Sequence, residues 1–384
     1  MEHKNQPKLS IILPCYNEEN SIENCIKNIV SELWDKIDYE IVVVDNNSSD
    51  SSPLILDKIK TKLSNLKVYF EKKIGYGSAC IKGLDSAQGK YLLLMDIDQT
   101  YPTNKILDFV KELDTDKDFV IGNRFTGNIE KNSMPALHQF IGNPLLSYVL
   151  RFFFKTKIRD SQCGMRAIRK SAYEKISLRT TGMEFASEMV IKVLKEKFKI
   201  SEIAISYHPR IGESKLKSFR DGWRHLRFML LYSPLYLFLA PGIILFLIGF
   251  ISMITIYFTK INLAGIQLIA HPIFVSSLLM ITGYQLIIFT GFAKSYAMTH
   301  FDEKNKSLEK FFKVFSLESA VSIGLGIIIL GFVIYVFILQ KWLNSNFGEL
   351  NEIKNAVIGL TMIVLGVQTV ASAFMMSIIS IKEK

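Results

Sequence analysis

The chain has 384 residues, with 46 Lys and Arg against 36 Asp and Glu and a net charge of +10. That charge is unevenly spread: residues 1–232 hold 36 basic and 29 acidic side chains, residues 233–384 only 10 and 7. One charged half and one apolar half exclude a wholly soluble protein, a disordered chain and a bundle built only of membrane helices.

The first eight residues are polar and lack the apolar run of a signal peptide. From there short β-branched runs alternate with helical stretches. Strands are predicted over 9–13, 40–44, 67–70, 91–95 and 119–121, with helices over 20–33, 53–62, 78–87 and 104–113. This is the βαβ rhythm of an α/β sheet, whose ligands sit beyond the carboxyl ends of the strands. Residues 134–157 carry Leu137, Phe140, Ile141, Leu145, Val149 and Phe152 and end in Arg151, Lys155 and Lys157, just before Arg159. The pattern reads equally as an interfacial helix at lipid headgroups or as a core helix of the soluble domain. A second amphipathic stretch, near 218–232, carries Trp223, Arg224 and Arg227.

Four runs, about 235–258, 272–292, 320–339 and 356–380, are long and apolar enough to span a bilayer and carry no charge at mid-depth. The domains are therefore expected at 1–232 (soluble) and 233–384 (an all-α membrane domain of four helices). Gly324, Gly326 and Gly331 either let helices pack closely or are ordinary membrane glycines. Basic residues cluster before the first span (Lys215, Lys217, Arg220, Arg224, Arg227) and between the second and third (Lys294, Lys304, Lys306, Lys310, Lys313). The other two loops have only Lys260, and Lys341 with Lys354. This alternation predicts a multi-pass cell-membrane protein with the soluble domain and both termini in the cytoplasm. Cys15, Cys25, Cys80 and Cys163 have no metal-ligand spacing, which fits a reducing compartment. The positive charge lies largely beside the membrane, which argues against nucleic acid.

Polar clusters follow three strands: Pro14-Cys15-Tyr16-Asn17-Glu18, Asp45-Asn46-Asn47-Ser48-Ser49-Asp50 and Asp96-Ile97-Asp98-Gln99. Asn17 and Asp50 are equally readable as helix caps, and Gly75-Tyr76-Gly77 as a plain turn. Two carboxylates leaving one buried strand repel each other unless a cation lies between them; Mg²⁺ or Mn²⁺ with substrate phosphates is the natural partner, and a solvated acidic turn the alternative.

In this order, the motifs Pro14-x-Tyr16-Asn17-Glu18, Asp45-x-x-Ser48-x-Asp50, Gly75-x-Gly77 and Asp96-x-Asp98 resemble family-2 glycosyltransferases of the dolichyl-phosphate and polyprenyl-phosphate sugar synthase type. Gly122-Asn123-Arg124-Phe125, Asp160-Ser161-Gln162-Cys163-Gly164-Met165-Arg166 and Arg210-x-Gly212-x-Ser214-Lys215 extend the resemblance across residues 9–232. It implies a Rossmann-like GT-A domain that binds a nucleotide-diphospho-sugar. It places Pro14, Tyr16, Glu18 and Asp45 at the nucleotide, Asp96, Asp98 and Gln99 at the metal, and Arg210 and Lys215 at the donor phosphates. Arg124, Arg159 and Arg166 would meet the acceptor phosphate, with Asp98 and Arg124 catalytic. Many such enzymes have Asp where this chain has Asn46.

The function this implies is inverting transfer of a sugar, from UDP-glucose in preference to GDP-mannose, to polyprenyl or dolichyl phosphate. A phosphate acceptor arrives already anionic, which suits a chain with no readable Ser-His-Asp or Cys-His pairing. Alternatives are transfer to a lipid hydroxyl with Asp98 or Glu184 as base, a processive polysaccharide synthase, and a membrane scaffold on a degenerate transferase domain. The absence of Q-x-x-R-W and the small number of spans argue against the second, and Asp96 with Asp98 against the third. A homo-oligomer is left open.

Overall fold

The computed structural model describes residues 6–212, 218–259, 261–263, 266–268, 271–300 and 317–381. The chain divides into two compact units, Met1–Met229 and Leu230–Lys384.

The first unit is a seven-stranded sheet flanked by helices. Its strands are β1 (Leu9–Cys15), β2 (Tyr39–Asp45), β3 (Leu66–Phe70), β4 (Tyr91–Leu94), β5 (Phe119–Asn123), β6 (Arg166–Arg169) and β7 (Ile200–Ala204), in spatial order 3-2-1-4-6-5-7. β1 pairs parallel with both β2 and β4. Ile11, Ile12, Leu13 and Ile41–Val44 are fully buried, as strands covered on both faces must be, so they read as continuous apolar runs. The helices between them are α1 (Ile22–Leu33), α2 (Ser52–Lys60), α3 (Tyr76–Ser86) and α4 (Ile106–Asp114). α1 buries Ile22, Cys25, Ile26, Ile29 and Leu33, one stripe at helical spacing. α2 starts with Pro53 in its first turn, where the missing N–H costs nothing.

The sheet departs from the simple βαβ expectation. β6 enters antiparallel between β4 and β5, and β7 pairs parallel with β5. Then come α5 (Asn143–Phe154), preceded by a π-helical turn at His138–Gly142, α6 (Lys170–Tyr173), α7 (Phe185–Lys195) and α8 (Ser218–Leu231). α5 turns Leu146, Ser147 and Leu150 inward and leaves Leu145, Tyr148 and Phe152 more than half exposed. Lys155 ends it in the left-handed conformation at φ 50°.

The second unit contains α9 (Ala240–Phe258), preceded by a π-helical turn at Leu235–Leu239, a two-stranded hairpin of β8 (Ile261–Leu263) and β9 (Ile266–Leu268), α10 (His271–His300), α11 (Leu317–Asn344) and α12 (Ile353–Ile379). Among the described residues four segments, Leu235–Phe258, His271–Tyr296, Leu317–Asn344 and Ile353–Ile379, are long and apolar enough to cross a membrane. Hydrogen bonds join the helices: Ser277 to Thr361 at 2.7 Å, Tyr284 to Thr369 at 2.6 Å and Gln285 to Gln368 at 2.9 Å. In an apolar solvent such bonds and close small-residue contacts hold helices together.

Gly324 and Gly331 of α11 face Gly366 and Gly359 of α12 so closely that an added Cβ would lie 2.9 and 2.8 Å from their carbonyl oxygens. Gly326 has open space around its Cα. Gly331→Leu is therefore expected to destabilise this helix pair by about 1–3 kcal/mol through overpacking, while Gly326→Leu changes little. Thermal unfolding in detergent distinguishes them, and equal melting temperatures would contradict the packing.

Candidate functional site

The loops after β1, β2 and β4 are laced together by short polar side chains. Asn17, held at φ 53°, accepts from the Ser49 amide at 2.8 Å and donates its own amide to Ser48 Oγ at 2.9 Å. Glu18 N donates to Ser52 Oγ at 2.9 Å, and Glu19 N to Asp50 Oδ2 at 3.1 Å. Asn17 and Asp50 thus staple two loops. Asn46 is likewise committed: its amide donates to the Glu71 and Lys73 carbonyls at 3.0 and 2.8 Å and accepts from Gly75 N at 2.7 Å. Gly75 has φ 153°, and a Cβ there would lie 2.2 Å from the Thr181 carbonyl oxygen, so only glycine fits this turn. Asp45 is buried and accepts from Ser48 N at 3.3 Å. Pro14 is half-buried and Tyr16 exposed on the same rim.

At the centre lie Asp96 and Asp98. Tyr76 OH donates to Asp96 Oδ1 at 3.1 Å. The other Asp96 oxygen abuts Gly164, where a Cβ would sit 2.9 Å away, and Tyr101 OH accepts from Gly164 N at 2.7 Å. Asp98 Oδ1 accepts from Thr100 N at 3.1 Å and Thr100 Oγ1 at 2.7 Å. Arg210 pairs with Glu18 and reaches Asp98 Oδ2 at 3.4 Å. Burial and the neighbouring Asp98 push the Asp96 carboxyl up to about 7, so this pair is short of positive charge even with Arg210 beside it. Among the described residues no group of three His, Cys, Asp or Glu is placed to hold a metal ion. The chemistry of this donor set, two hard carboxylates side by side with Arg210 on one of them, nevertheless fits a divalent cation shared with a diphosphate.

The sequence-predicted residues do not all come together. Glu18, Asp96, Asp98 and Arg210 come together in one cluster. Arg124 does not join it: Nε and Nη2 form a two-pronged pair with Asp160 at 2.7 and 2.8 Å, and the guanidinium lies 5.2 Å over the Tyr207 ring. Arg166 is buried and spends its guanidinium on the carbonyls of Cys163 and Ala186, which leaves it no open face toward an acceptor phosphate. Gln99, at φ 64°, turns its amide onto the Ser21 carbonyl at 3.3 Å rather than onto the carboxylates; Thr100 takes the place beside Asp98. The Arg159 side chain lines a separate cavity with Arg151 and Lys157. Lys215 lies outside the described residues. Tyr76, Thr100, Tyr101 and Gly164 have no role assigned from the sequence; the Gly75-Tyr76-Gly77 turn and the Asp160–Arg166 motif are the local signals for Tyr76 and Gly164.

A buried polar chain runs elsewhere in this unit. Ser147 of α5 bonds Ser161 at 3.1 Å, Gln162 donates to Ser161 at 2.9 Å and to Ser187 at 3.4 Å, and Ser187 bonds His225 Nδ1 of α8 at 2.8 Å. Burial lowers the His225 imidazole to about 4, so it is neutral at pH 7. A base depressed below its ordinary value of 6.5 contributes stability that is fully present above pH 6.5 and is lost as pH falls toward 4. The contribution at stake is about 3 kcal/mol. Between pH 7 and 4.5, His225→Gln should show a shallower fall of melting temperature than the wild-type chain. Parallel curves would mean that His225 titrates normally.

An α/β sheet with an acid pair at its strand ends is thus followed in the chain by four apolar helices long enough to cross a membrane. The Glycosyl transferase family 2 model matches residues 10–177, and the Glycosyltransferase family 2 C-terminal transmembrane region matches residues 291–380. The low-salt glycan biosynthesis hexosyltransferase Agl6 of Haloferax volcanii is 34% identical over 373 residues, covering 96% of this chain and 88% of that one. The dolichyl-phosphate hexose transferase of the same organism is 29% identical over 217 residues, covering 56% and 89%. Glucosyl-3-phosphoglycerate synthase of Mycobacterium tuberculosis aligns with a TM-score of 0.46 at 17% identity, over 59% and 80% of the two chains. The chain belongs to glycosyl transferase family 2: a membrane enzyme with a mixed-sheet α/β domain, related to dolichyl-phosphate sugar transferases.

Proposed function

We propose that the protein moves one sugar from a nucleotide-diphospho-sugar to the phosphate of a polyprenyl or dolichyl lipid, at the cytoplasmic face and with inversion. The observation that carries this is the Asp96–Asp98 pair at the strand ends, bridged through Arg210 to Glu18. UDP-glucose is the favoured donor and GDP-mannose the alternative. Pro14, Tyr16 and Asp45 line the base and ribose side, with Arg210 and Lys215 at the donor phosphates. Asp96 and Asp98 would hold Mg²⁺ or Mn²⁺, whose contribution when bound is to neutralise charge growing on the leaving diphosphate. Arg210, fixed by two carboxylates, adds a positive charge on the same side. A lipid phosphate needs no deprotonation before it attacks the anomeric carbon, so no base is required.

The expected product is a lipid carrying a single sugar through an acid-labile phosphodiester. Mild acid should release that sugar, and mass spectrometry should show one hexose per lipid. Hexose repeats or an acid-stable linkage would favour the alternatives. Of these, transfer to a lipid hydroxyl would need a base, for which Asp98 or Glu184 is the candidate.

The catalytic domain, residues 1–232, and both termini would be cytoplasmic, with residues 134–157 and 218–232 lying along the headgroups. Cysteines introduced near Asn262 and Asn346 should label from outside intact cells, and one near Asn305 should not. The reverse pattern would invert the topology.

A further inference from the structure

Ser206, His208 and Glu130 have no part in sugar transfer as proposed, yet their side chains form a connected set. Ser206 Oγ lies 3.0 Å from His208 Nε2, and His208 Nδ1 lies 2.8 Å from Glu130 Oε1. A carboxylate can only accept hydrogen bonds. In the neutral imidazole Glu130 therefore places the proton on Nδ1, which leaves the Nε2 lone pair to accept from the Ser206 hydroxyl. Nucleophile, base and the group that orients the base thus follow one another along a single hydrogen-bonded chain, the order that activates a hydroxyl. Glu130 stands 78 positions before His208, so no local motif displays the set.

The backbone fixes these three groups. Ile205 N donates to Asn123 O at 3.2 Å and Tyr207 N to Asn128 O at 2.8 Å, while Glu130 N donates back to Tyr207 O at 3.0 Å. Gly127 permits that approach: a Cβ there would lie 1.9 Å from the Ile205 carbonyl oxygen. The Tyr207 ring packs 5.5 Å from the Tyr101 ring and 5.2 Å from the Arg124 guanidinium. Ser206 and His208 meet across it with the two-residue period of a strand. The His208 amide is held on the Thr100 carbonyl at 3.0 Å. Among the described residues none accepts from Ser206 N, which leaves a backbone donor at the nucleophile for an oxyanion. His208 also lines a cavity of about 430 Å³ whose walls include Asn28, Gln99, Tyr101, Thr103 and Asn104. No Asp, Glu, Lys or Arg lines it, so it suits an uncharged group. Ser206 and His208 are only half-buried, within reach of a reagent from solvent.

We propose that Ser206, His208 and Glu130 form a second reactive centre, which hydrolyses uncharged carboxylic esters received by this cavity. Ser206 Oγ bonds to the carbonyl carbon as its proton passes to His208 Nε2. The ester C–O bond then breaks, the departing alcohol takes that proton, and the acyl group stays on Ser206. Water next gives a proton to Nε2 and its oxygen bonds to the acyl carbon. The bond to Ser206 breaks, Oγ recovers the proton and a carboxylic acid leaves. Glu130 holds the imidazole in the required tautomer throughout. This activity goes beyond sugar transfer and does not depend on it.

The test treats the full-length protein in detergent micelles with a fluorophosphonate, which reacts with activated serines, and separately with p-nitrophenyl acetate. Mass spectrometry should place the phosphonyl group on Ser206, and Ser206→Ala should remove both the labelling and the ester cleavage. His208→Gln should slow both by about a hundredfold or more, and Glu130→Gln by about tenfold or more. Circular dichroism and gel filtration confirm that each variant is folded; should His208→Gln fail to fold, Glu130→Gln carries the same comparison. A wild-type chain left unlabelled at Ser206 would make the three residues a structural contact and overturn the proposal. So would labelling at the wild-type rate in folded His208→Gln or Glu130→Gln, or ester cleavage at the wild-type rate in Ser206→Ala.

Discussion

Asp98→Asn is expected to lower sugar transfer by about a hundred- to a thousandfold, the loss seen when one preorganised electrostatic group is removed from a site where charge develops. The same change should not unfold the protein, and the reason is local. The asparagine oxygen can still accept from Thr100 N and Oγ1; the 3.4 Å contact to Arg210 is lost, but Arg210 keeps Glu18, and one of two buried charges that repel each other is removed. Since the Asp98 charge helps to push the Asp96 carboxyl up to about 7, removing it should leave the melting temperature unchanged or slightly raised. A drop in activity with no drop in stability is the signature of a site arranged for an external cation and diphosphate. The checks are a radiolabelled transfer assay and thermal unfolding of the same preparation. Wild-type turnover by Asp98→Asn in excess EDTA would remove the carboxylate pair from the chemistry.

Arg124→Ala should produce the largest loss of stability. Asp160 is fully buried, and its two oxygens accept Arg124 Nη2 at 2.8 Å and Nε at 2.7 Å. Without the guanidinium a carboxylate is left uncompensated in the interior, which costs about 3–5 kcal/mol. For a unit of this size the melting temperature should fall by roughly 10 °C. Arg124→Lys should recover little, because a point charge cannot occupy both oxygens in the plane of the carboxylate. The double change Arg124→Met with Asp160→Leu removes both charges together and should restore most of the melting temperature. If Arg124 also serves the phosphates, as the family resemblance implies, transfer by the refolded double variant stays about ten- to a hundredfold low. Full activity in that variant would make Arg124 a purely structural residue.

The parts of this protein legible in its sequence are those whose physics is local. β1, β2 and β4 are buried on both faces, so each carries a continuous apolar run (Ile11–Leu13, Ile41–Val44 and Leu92–Leu94), and α1 and α4 carry their buried stripes at helical spacing. The four apolar segments were readable because a bilayer selects for length and the absence of charge, both properties of a single stretch. Asp96 and Asp98 stood out because two carboxylates leaving one buried run repel each other unless a cation lies between them, with a solvated acidic turn as the alternative.

Tertiary structure decided what depended on partners distant in sequence. β6 holds Arg166 and Arg169 among only four residues and does not read as a strand. It becomes one because the exposed-looking arginines find backbone carbonyls: Cys163 and Ala186 for Arg166, Leu113 and Lys117 for Arg169. Arg124, Arg159 and Arg166 look alike in the sequence, as three arginines near one motif. Folding pairs the first with Asp160, 36 positions away, sets the second in an open cavity and buries the third on carbonyls. An arginine's role follows from which acceptors surround it, and those acceptors are brought to it only by the packing of the whole sheet.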